Sequence, residues 1–232
     1  MSEIPHLEAE QARDRLVEFF GRYGDELERI RALLQIRLEQ LAQAYCRRHQ
    51  LPNEAVLVTT RVKSLNSVLS KLARRGWPAF EKPTDAITDL IGARVVCWFV
   101  DDCIGMLHII SASKHLTFQT EVEDYIRAPK PSGYRAIHLL AEVGYDSIQG
   151  SARETRIEVA QMLCEIQIRS KLQDAWGDMT HEFHYKAKVD GVDHREHEKR
   201  LRDIAIRLAE EDMALMAIRD AYQSLSRKVP GD

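Results

Sequence analysis

The chain of 232 residues carries 33 Lys plus Arg against 36 Asp plus Glu, a formal net charge of -3, with 44% apolar and 30% charged residues. That composition excludes a disordered chain, a collagen-like chain and a disulfide-stapled mini-protein, and it supplies a sizeable core. No apolar run reaches the roughly 18 residues of a membrane span, the acidic N-terminus is no signal peptide, and the charge balance argues against a duplex-DNA binder; a cytoplasmic protein is expected.

Residues 7–50 read as helix, one long element or a broken one. Leu16, Phe19, Phe20, Tyr23, Leu27, Ile30, Leu34, Leu38, Leu41 and Tyr45 recur at three- and four-residue intervals, and Pro5 and Pro52 bracket them. Residues 61–75 hold five bases and no acid. Residues 93–100 (ARVVCWFV) form an apolar, β-branched run that suits a strand buried on both faces. A helical-period stretch follows, with Asp101 or Asp102 as candidate N-cap. Residues 116–122, 136–143 and 157–168 are further strand candidates. Residues 194–225 repeat the helical pattern through Leu201, Ile204, Leu208, Leu215, Ile218 and Tyr222. Strands mixed with helices indicate an α/β (α+β) sheet domain flanked by N- and C-terminal helices. Cys46, Cys97, Cys103 and Cys164 show no C-x-x-C spacing and read as small buried residues in a reducing compartment.

Four segments can carry chemistry. If residues 61–71 are helical, Lys63, Ser67 and Lys71 share one face, opposite an apolar stripe of Leu65, Val68, Leu69 and Leu72. With Arg61 they would suit a polyphosphate, although the same residues also make an ordinary solvated basic face. Asp89, just ahead of the buried strand, could hold a hard cation such as Mg²⁺, whereas Asp85 suits a helix start. In 128–138 (APKPSGYRAIH), two prolines and a glycine shape a turn that presents Tyr134 as a stacking plane beside Lys130, Arg135 and His138; a loop with solvated bases and a packed Tyr is the alternative. In 162–169 (MLCEIQIR), alternation puts Met162, Cys164, Ile166 and Ile168 on one face and Glu165, Gln167 and Arg169 on the other. A polar row in a central strand needs partners, supplied by a metal, a nucleotide or an internal Glu165–Arg169 pair. Ser170-x-x-Gln173 then opens a helix as a capping box.

Other patterns fail. His181 and His184 are three apart where zincins need four, and neither a P-loop, a G-x-G-x-x-G loop nor a nucleophile elbow occurs.

In order, the four segments resemble the synthetase domain of the RelA/SpoT family. R-x-K-x-x-x-S-x-x-x-K is met by Arg61, Lys63, Ser67 and Lys71, and D-L-I-x-x-R by Asp89, Leu90, Ile91 and Arg94. The Y-I-x-x-P-K-x-x-G-Y-x-x-x-H element is met by Tyr125, Ile126, Pro129, Lys130, Gly133, Tyr134 and His138. E-I-Q-I-R is met by residues 165–169, and a later W…H…Y-K by Trp176, His181, Tyr185 and Lys186. The resemblance is to the small alarmone synthetases, which lack the hydrolase and regulatory domains of the long members. It divides the chain into a helical region at 1–58, a synthetase core at 59–190 and a C-terminal helix at 191–232.

The resemblance implies a nucleotidyltransferase fold of the polymerase-β type, with a mixed sheet of about five strands. It implies transfer of pyrophosphate from ATP to the 3′-OH of GDP or GTP, releasing AMP and making guanosine tetra- or pentaphosphate. Arg61 and Arg94 would sandwich adenine, and Lys63, Ser67 and Lys71 would hold the ATP phosphates. Asp89 and Glu165 would bind Mg²⁺, with Glu165 as base; Tyr134 would stack on guanine, with Lys130, His138 and Gln167 near the acceptor. Related toxins that pyrophosphorylate tRNA 3′ ends or adenine nucleotides, and an inactive nucleotide or RNA sensor, share the motifs. The acidic Glu121-Val-Glu123-Asp124, where some relatives are basic, leaves acceptor preference open. A homotetramer built through the terminal helices, with the pentaphosphate product as an allosteric activator, is also implied.

Overall fold

The computed structural model describes residues 9–119, 121–151, 154–190 and 195–226, with the backbone alone at 149, 151, 154, 181–182 and 184–190. A 41-residue helix, α1 (Ala9–His49), opens the chain. A short 3₁₀ turn leads to β1 (Val56–Val62), followed by α2 (Leu65–Arg74), the four-residue α3 (Pro83–Ala86), β2 (Ile91–Cys97) and α4 (Val100–Ser111). Then come β3 (Leu116–Phe118), β4 (Glu123–Asp124), the long strands β5 (Ile137–Ser151) and β6 (Glu154–Ser170), and helices α5 (Lys171–Asp190) and α6 (Arg195–Ser226). The strands form one mixed sheet in the order β1-β2-β6-β5-β3, with β4 paired to β5. Only β2 and β6 run parallel; the other pairs are antiparallel.

The sheet has two unlike faces. Ile91, Ala93, Val95 and Cys97 of β2, Cys164, Ile166 and Ile168 of β6, and Ile137, Leu139, Ala141 and Val143 of β5 point to one side. There α1 (Leu27, Ile30, Leu34, Leu38) and α4 (Cys103, Met106, Ile110) cover them, so α1 is integral to the core. The first turns of α1 join a second cluster, in which Ala12 and Leu16 pack on Val68 and Leu72 of α2 and on Phe80, Ile87 and Leu90. At some 60 Å long by its rise per residue, α1 is long enough to serve both clusters. The other face is polar and carries the candidate site. All four cysteines are buried and free.

Several elements differ from the sequence reading. The run 93–100 is not buried on both faces, because alternation turns Arg94 outward, and Val100 already begins α4. Phe99 occupies the N-cap of α4, while Asp101 and Asp102 sit in its first turn. Asp102 is instead buried, accepting a hydrogen bond from the Tyr45 hydroxyl at 2.9 Å. β1 was hidden by the bases that follow it. β5 and β6 extend past the sheet as a two-stranded ribbon whose mixed polar sequence (GYDSIQGS) has no clean alternation to mark it. Asp85 does start α3, accepting from the Lys82 N–H at 2.9 Å. Among the described residues no helix is long and apolar enough to cross a membrane.

Candidate functional site

Register lays the polar face out in two rows. Across one run Arg61, Gly92, Glu165 and Leu140; across the next run Thr59, Arg94, Gln167 and His138. Gly92 has no side chain to fill the floor beside Glu165, and nothing lies within 4 Å of where a Cβ would stand.

The first group gathers around Asp89. The Lys63 N–H bonds to the Leu90 carbonyl at 2.8 Å, continuing the β1–β2 ladder, and this places the Lys63 ammonium on Asp89. α2 begins at the Ser64 cap, whose Oγ accepts from the Ser67 N–H at 3.3 Å. Two turns on, Lys71 donates to Asp89 Oδ1 at 2.8 Å. The four motif residues therefore do not share one helix. Arg61 lies on β1 and Lys63 just beyond it, at strand spacing; Ser67 and Lys71 lie on α2, at helix spacing. The apolar stripe holds, with Val68 and Leu72 buried and Leu65 and Leu69 packed on the second cluster. Burial pushes the Asp89 carboxyl up, but hydrogen bonds and charge from Lys63 and Lys71 outweigh it and hold it below its ordinary value.

The second group spans β5 and β6. Glu165 Oε1 faces His138 Nδ1 at 3.1 Å, and Glu165 Oε2 accepts from Gln167 Nε2 at 2.8 Å. His138 Nε2 lies 2.7 Å from the Tyr134 hydroxyl, which accepts from Arg169 Nη2 at 2.8 Å. Arg169 also donates to Gln167 Oε1, so Glu165 and Arg169 meet through Gln167 and not as a direct pair. Lys130 Nζ stands 4.1 Å from the Tyr125 ring centroid and 5.4 Å from that of Tyr134. Burial raises the Glu165 carboxyl and the Asp89 charge adds to that, but His138 and Gln167 bring the net shift below the ordinary value. Asp89 and Glu165 are thus near enough to feel each other, and both are ionised at neutral pH.

A third element, α5, closes one side. Arg94 Nη1 pairs with Asp174 at 3.1 Å and Asp178 at 2.8 Å, and Asp174 also faces Arg169 at 3.6 Å. The cap of α5 is half a capping box. Ser170 Oγ accepts from the Gln173 N–H at 3.3 Å, but the Gln173 side chain turns to Asp212 of α6, as does the Ser170 hydroxyl at 2.7 Å. α6 also presses on the 130–134 turn: at Gly133, with φ +88, a Cβ would come within 2.7 Å of Ala205 Cβ.

Glu165 on the polar sheet face and Asp89 in the turn that leads into β2, ringed by ammonium, guanidinium and hydroxyl donors and an aromatic plane, suit phosphoryl-type transfer, which relies on positioning and charge neutralisation. The region found in RelA/SpoT proteins matches residues 60–190. The chain belongs to the RelA/SpoT family. It is 33% identical over 132 residues to the GTP pyrophosphokinase YwaC of Bacillus subtilis, covering 56% of this chain and 59% of that protein. To the GTP pyrophosphokinase YjbM of the same organism it is 31% identical over 176 residues, covering 75% and 78%. The fold is similar to the crystal structure of small alarmone synthetase 1 from Bacillus subtilis bound to its product pppGpp, with a TM-score of 0.70 at 25% identity, covering 89% of this chain and 99% of that one.

In this RelA/SpoT chain Lys63, Ser67, Lys71 and Asp89 fall in the first group and Lys130, Tyr134, His138, Glu165 and Gln167 in the second, while Arg94 is tied to α5 and Arg61 lies exposed on β1 beside Gly92. Sequence reasoning did not find Asp174 and Asp178, because acids at helix spacing beyond a capping residue look like an ordinary solvated face. Arg169 was placed in the polar row and offered only as a direct partner of Glu165, whereas its bonds go to Gln167 and Tyr134. The side chains of His181, His184, Tyr185 and Lys186 lie outside the described residues.

Proposed function

We propose that this RelA/SpoT family protein is a GTP pyrophosphokinase that transfers pyrophosphate from ATP to the 3′-OH of GDP or GTP. The observation that carries the reading is a pair of ionised carboxylates, Asp89 held by Lys63 and Lys71 and Glu165 held by His138 and Gln167, with the Tyr134 hydroxyl bonded to His138. Named relatives and the pppGpp-bound neighbour support it.

The acceptor 3′ oxygen attacks the β-phosphorus of ATP, the bond from that phosphorus to the α–β bridging oxygen breaks, and AMP leaves with the bridging oxygen. Glu165, ionised at neutral pH, takes the hydroxyl proton. Lys63 and Lys71 each have three N–H donors, so bonding Asp89 leaves others for the ATP phosphates, with Ser67 one turn before Lys71. Arg61 and Arg94 are planar cations suited to the two faces of adenine. Tyr134 supplies the plane for guanine, with Lys130, His138 and Gln167 around the acceptor.

Mg²⁺ fits the donor set. It typically takes one or two carboxylates together with substrate phosphates and water, Asp89 and Glu165 provide such a pair, and among the described residues no larger His, Cys, Asp or Glu cluster forms a closed cage. Held there, the ion would neutralise phosphate charge and acidify the attacking hydroxyl.

Incubation with ATP, GTP and Mg²⁺ followed by chromatography tests the reading. AMP together with a 3′-pyrophosphorylated guanosine is expected; neither appearing overturns it. Parallel incubations with ADP, ATP and deacylated tRNA as acceptors separate the toxin-like chemistry.

Self-association, most simply as a homotetramer, belongs to the same proposal. α1 spends most of its apolar positions inside the fold, whereas α6 leaves Leu215, Ile218, Tyr222 and Leu225 exposed at three- and four-residue spacing. Light scattering at micromolar concentration should give a multiple of 26.7 kDa, and the monomer mass would overturn it.

A further inference from the structure

α6 lies beyond residues 60–190, the part of the chain that matches the RelA/SpoT region. Among the described residues, Ala205 and Asp212 are the side chains that this long helix buries fully. Asp212 accepts hydrogen bonds from Ser170 and Gln173 at 2.7 and 3.4 Å. Ala205, 0% exposed, faces the turn between Lys130 and Tyr134. One methyl group adds little to a hydrophobic core, so stability alone gives no reason for α6 to meet the domain at this point.

The turn itself is closed tightly. The Gly133 N–H donates to the Lys130 carbonyl at 2.8 Å, and the Lys130 N–H donates to the Tyr134 carbonyl at 3.1 Å. Gly133 sits at φ +88, a conformation that glycine enters freely and other residues do not. Its backbone also runs so close to α6 that a Cβ would stand 2.7 Å from Ala205 Cβ and 3.3 Å from Arg202 Cα. Conformation and proximity both demand glycine here. Through its two bonds, Lys130 ties Gly133 to Tyr134, so a displacement of Gly133 carries both neighbours with it.

α6 is in turn fixed on either side of the contact. One turn before Ala205, the Leu201 carbonyl accepts from Trp176 Nε1 of α5 at 3.1 Å. Two turns after it stands Asp212 with its bonds to Ser170 and Gln173. Farther on, Arg219 grips Asp101 of α4 through both terminal nitrogens, at 2.9 and 2.6 Å. Ala205 is thus held against the turn by anchors that belong to α5 and its cap.

We infer that Ala205 is a positioning residue: α6 forms the seat of the 130–134 turn and so sets where Lys130 and Tyr134 meet the acceptor nucleotide. The inference deepens the proposed function and rests on it for its kinetic consequences, but the seating of the turn does not depend on which acceptor is used. Lys63, Ser67 and Lys71 lie on or beside α2, apart from this contact.

Substitution by size at position 205 tests it. Ala205→Leu should push the turn off its seat and raise KM for GDP about tenfold, within the range covered by loss of base stacking, with KM for ATP within about twofold. Ala205→Val is the smaller second variant, should Ala205→Leu fail to fold, and should act in the same direction. Arg219→Ala is the control for a merely structural role: it loosens the far end of α6 and should leave KM for GDP within about twofold. Hydrogen exchange of peptides spanning 128–136, measured without nucleotide, should be faster in whichever position-205 variant folds, with β6 unchanged. Unchanged exchange in that variant overturns the inference, as does a KM for GDP that stays at the wild-type value, rises together with KM for ATP, or rises equally in Arg219→Ala. A wild type inactive toward guanosine nucleotides whose turn still loosens in the variant would refute the proposed function and leave the seat standing.

Discussion

Asp89 is held by two lysines that reach it from different elements, one just past a strand and one on a helix, whereas Glu165 is held by neighbours within its own sheet. The lysines are long, flexible stems bearing compact charges, and each retains donors after bonding Asp89. His138 and Gln167 stand opposite each other in register, and Arg169, Gln167, Glu165, His138 and Tyr134 are joined by successive hydrogen bonds. The first arrangement suits groups that must exchange one partner for a phosphate; the second suits a base that must already be oriented. Both leave the carboxylate ionised, by opposite means: neutralisation by mobile cations at Asp89, oriented dipoles and a nearby imidazole at Glu165.

The comparison breaks most sharply at the carboxylates. Glu165→Gln and Asp89→Asn should each lower kcat by about 10²–10³-fold or more, the scale seen when an oriented electrostatic group is removed from an active site. Binding of GDP, measured by calorimetry, should remain largely intact in both. Full turnover of Glu165→Gln at saturating Mg²⁺ would contradict its role as base. Next in size is Tyr134→Ala, which should weaken the guanosine acceptor by about 1–3 kcal/mol if the ring stacks on the base; an unchanged KM for GDP alongside a lower kcat would restrict Tyr134 to its hydrogen bonds with His138 and Arg169.

The smallest effect is on stability. Because Lys63 and Lys71 depress Asp89, the unfolded chain binds more protons in acid, and the stabilisation is present above the ordinary value of 3.8 and lost as pH falls through the lower folded value. Asp89→Asn should therefore cost on the order of 1 kcal/mol in urea melts near neutrality and flatten the acid side of the stability curve. A curve parallel to wild type below about pH 4 would show that the lysines do not favour the charged form in solution.

The two regions also differ in how far the sequence disclosed them. Strand alternation at 162–169 placed Glu165, Gln167 and Arg169 on one face and their apolar neighbours on the other, as the structure has them. Spacing at 61–71 was harder, since Arg61 and Lys63 follow a period of two and Ser67 and Lys71 a period of four, and the change of period falls at the Ser64 cap. The helical reading of 61–71 therefore took in the last two residues of β1, and residues 56–60 were given no element. What local pattern could not supply was contact between distant segments. Arg94 with Asp174 and Asp178, Ser170 with Asp212, and the seat of Gly133 under α6 all join residues far apart in the chain.

The central claim is that this face moves a pyrophosphoryl group onto a 3′-hydroxyl under the control of Glu165. Product stoichiometry with GDP and with 3′-deoxy-GDP, each given ATP and Mg²⁺, tests it most directly. The account predicts one AMP for each pyrophosphorylated GDP, no AMP above background with 3′-deoxy-GDP, and loss of both products in Glu165→Gln. Formation of ADP in place of AMP, or AMP release that ignores the missing hydroxyl, would contradict it.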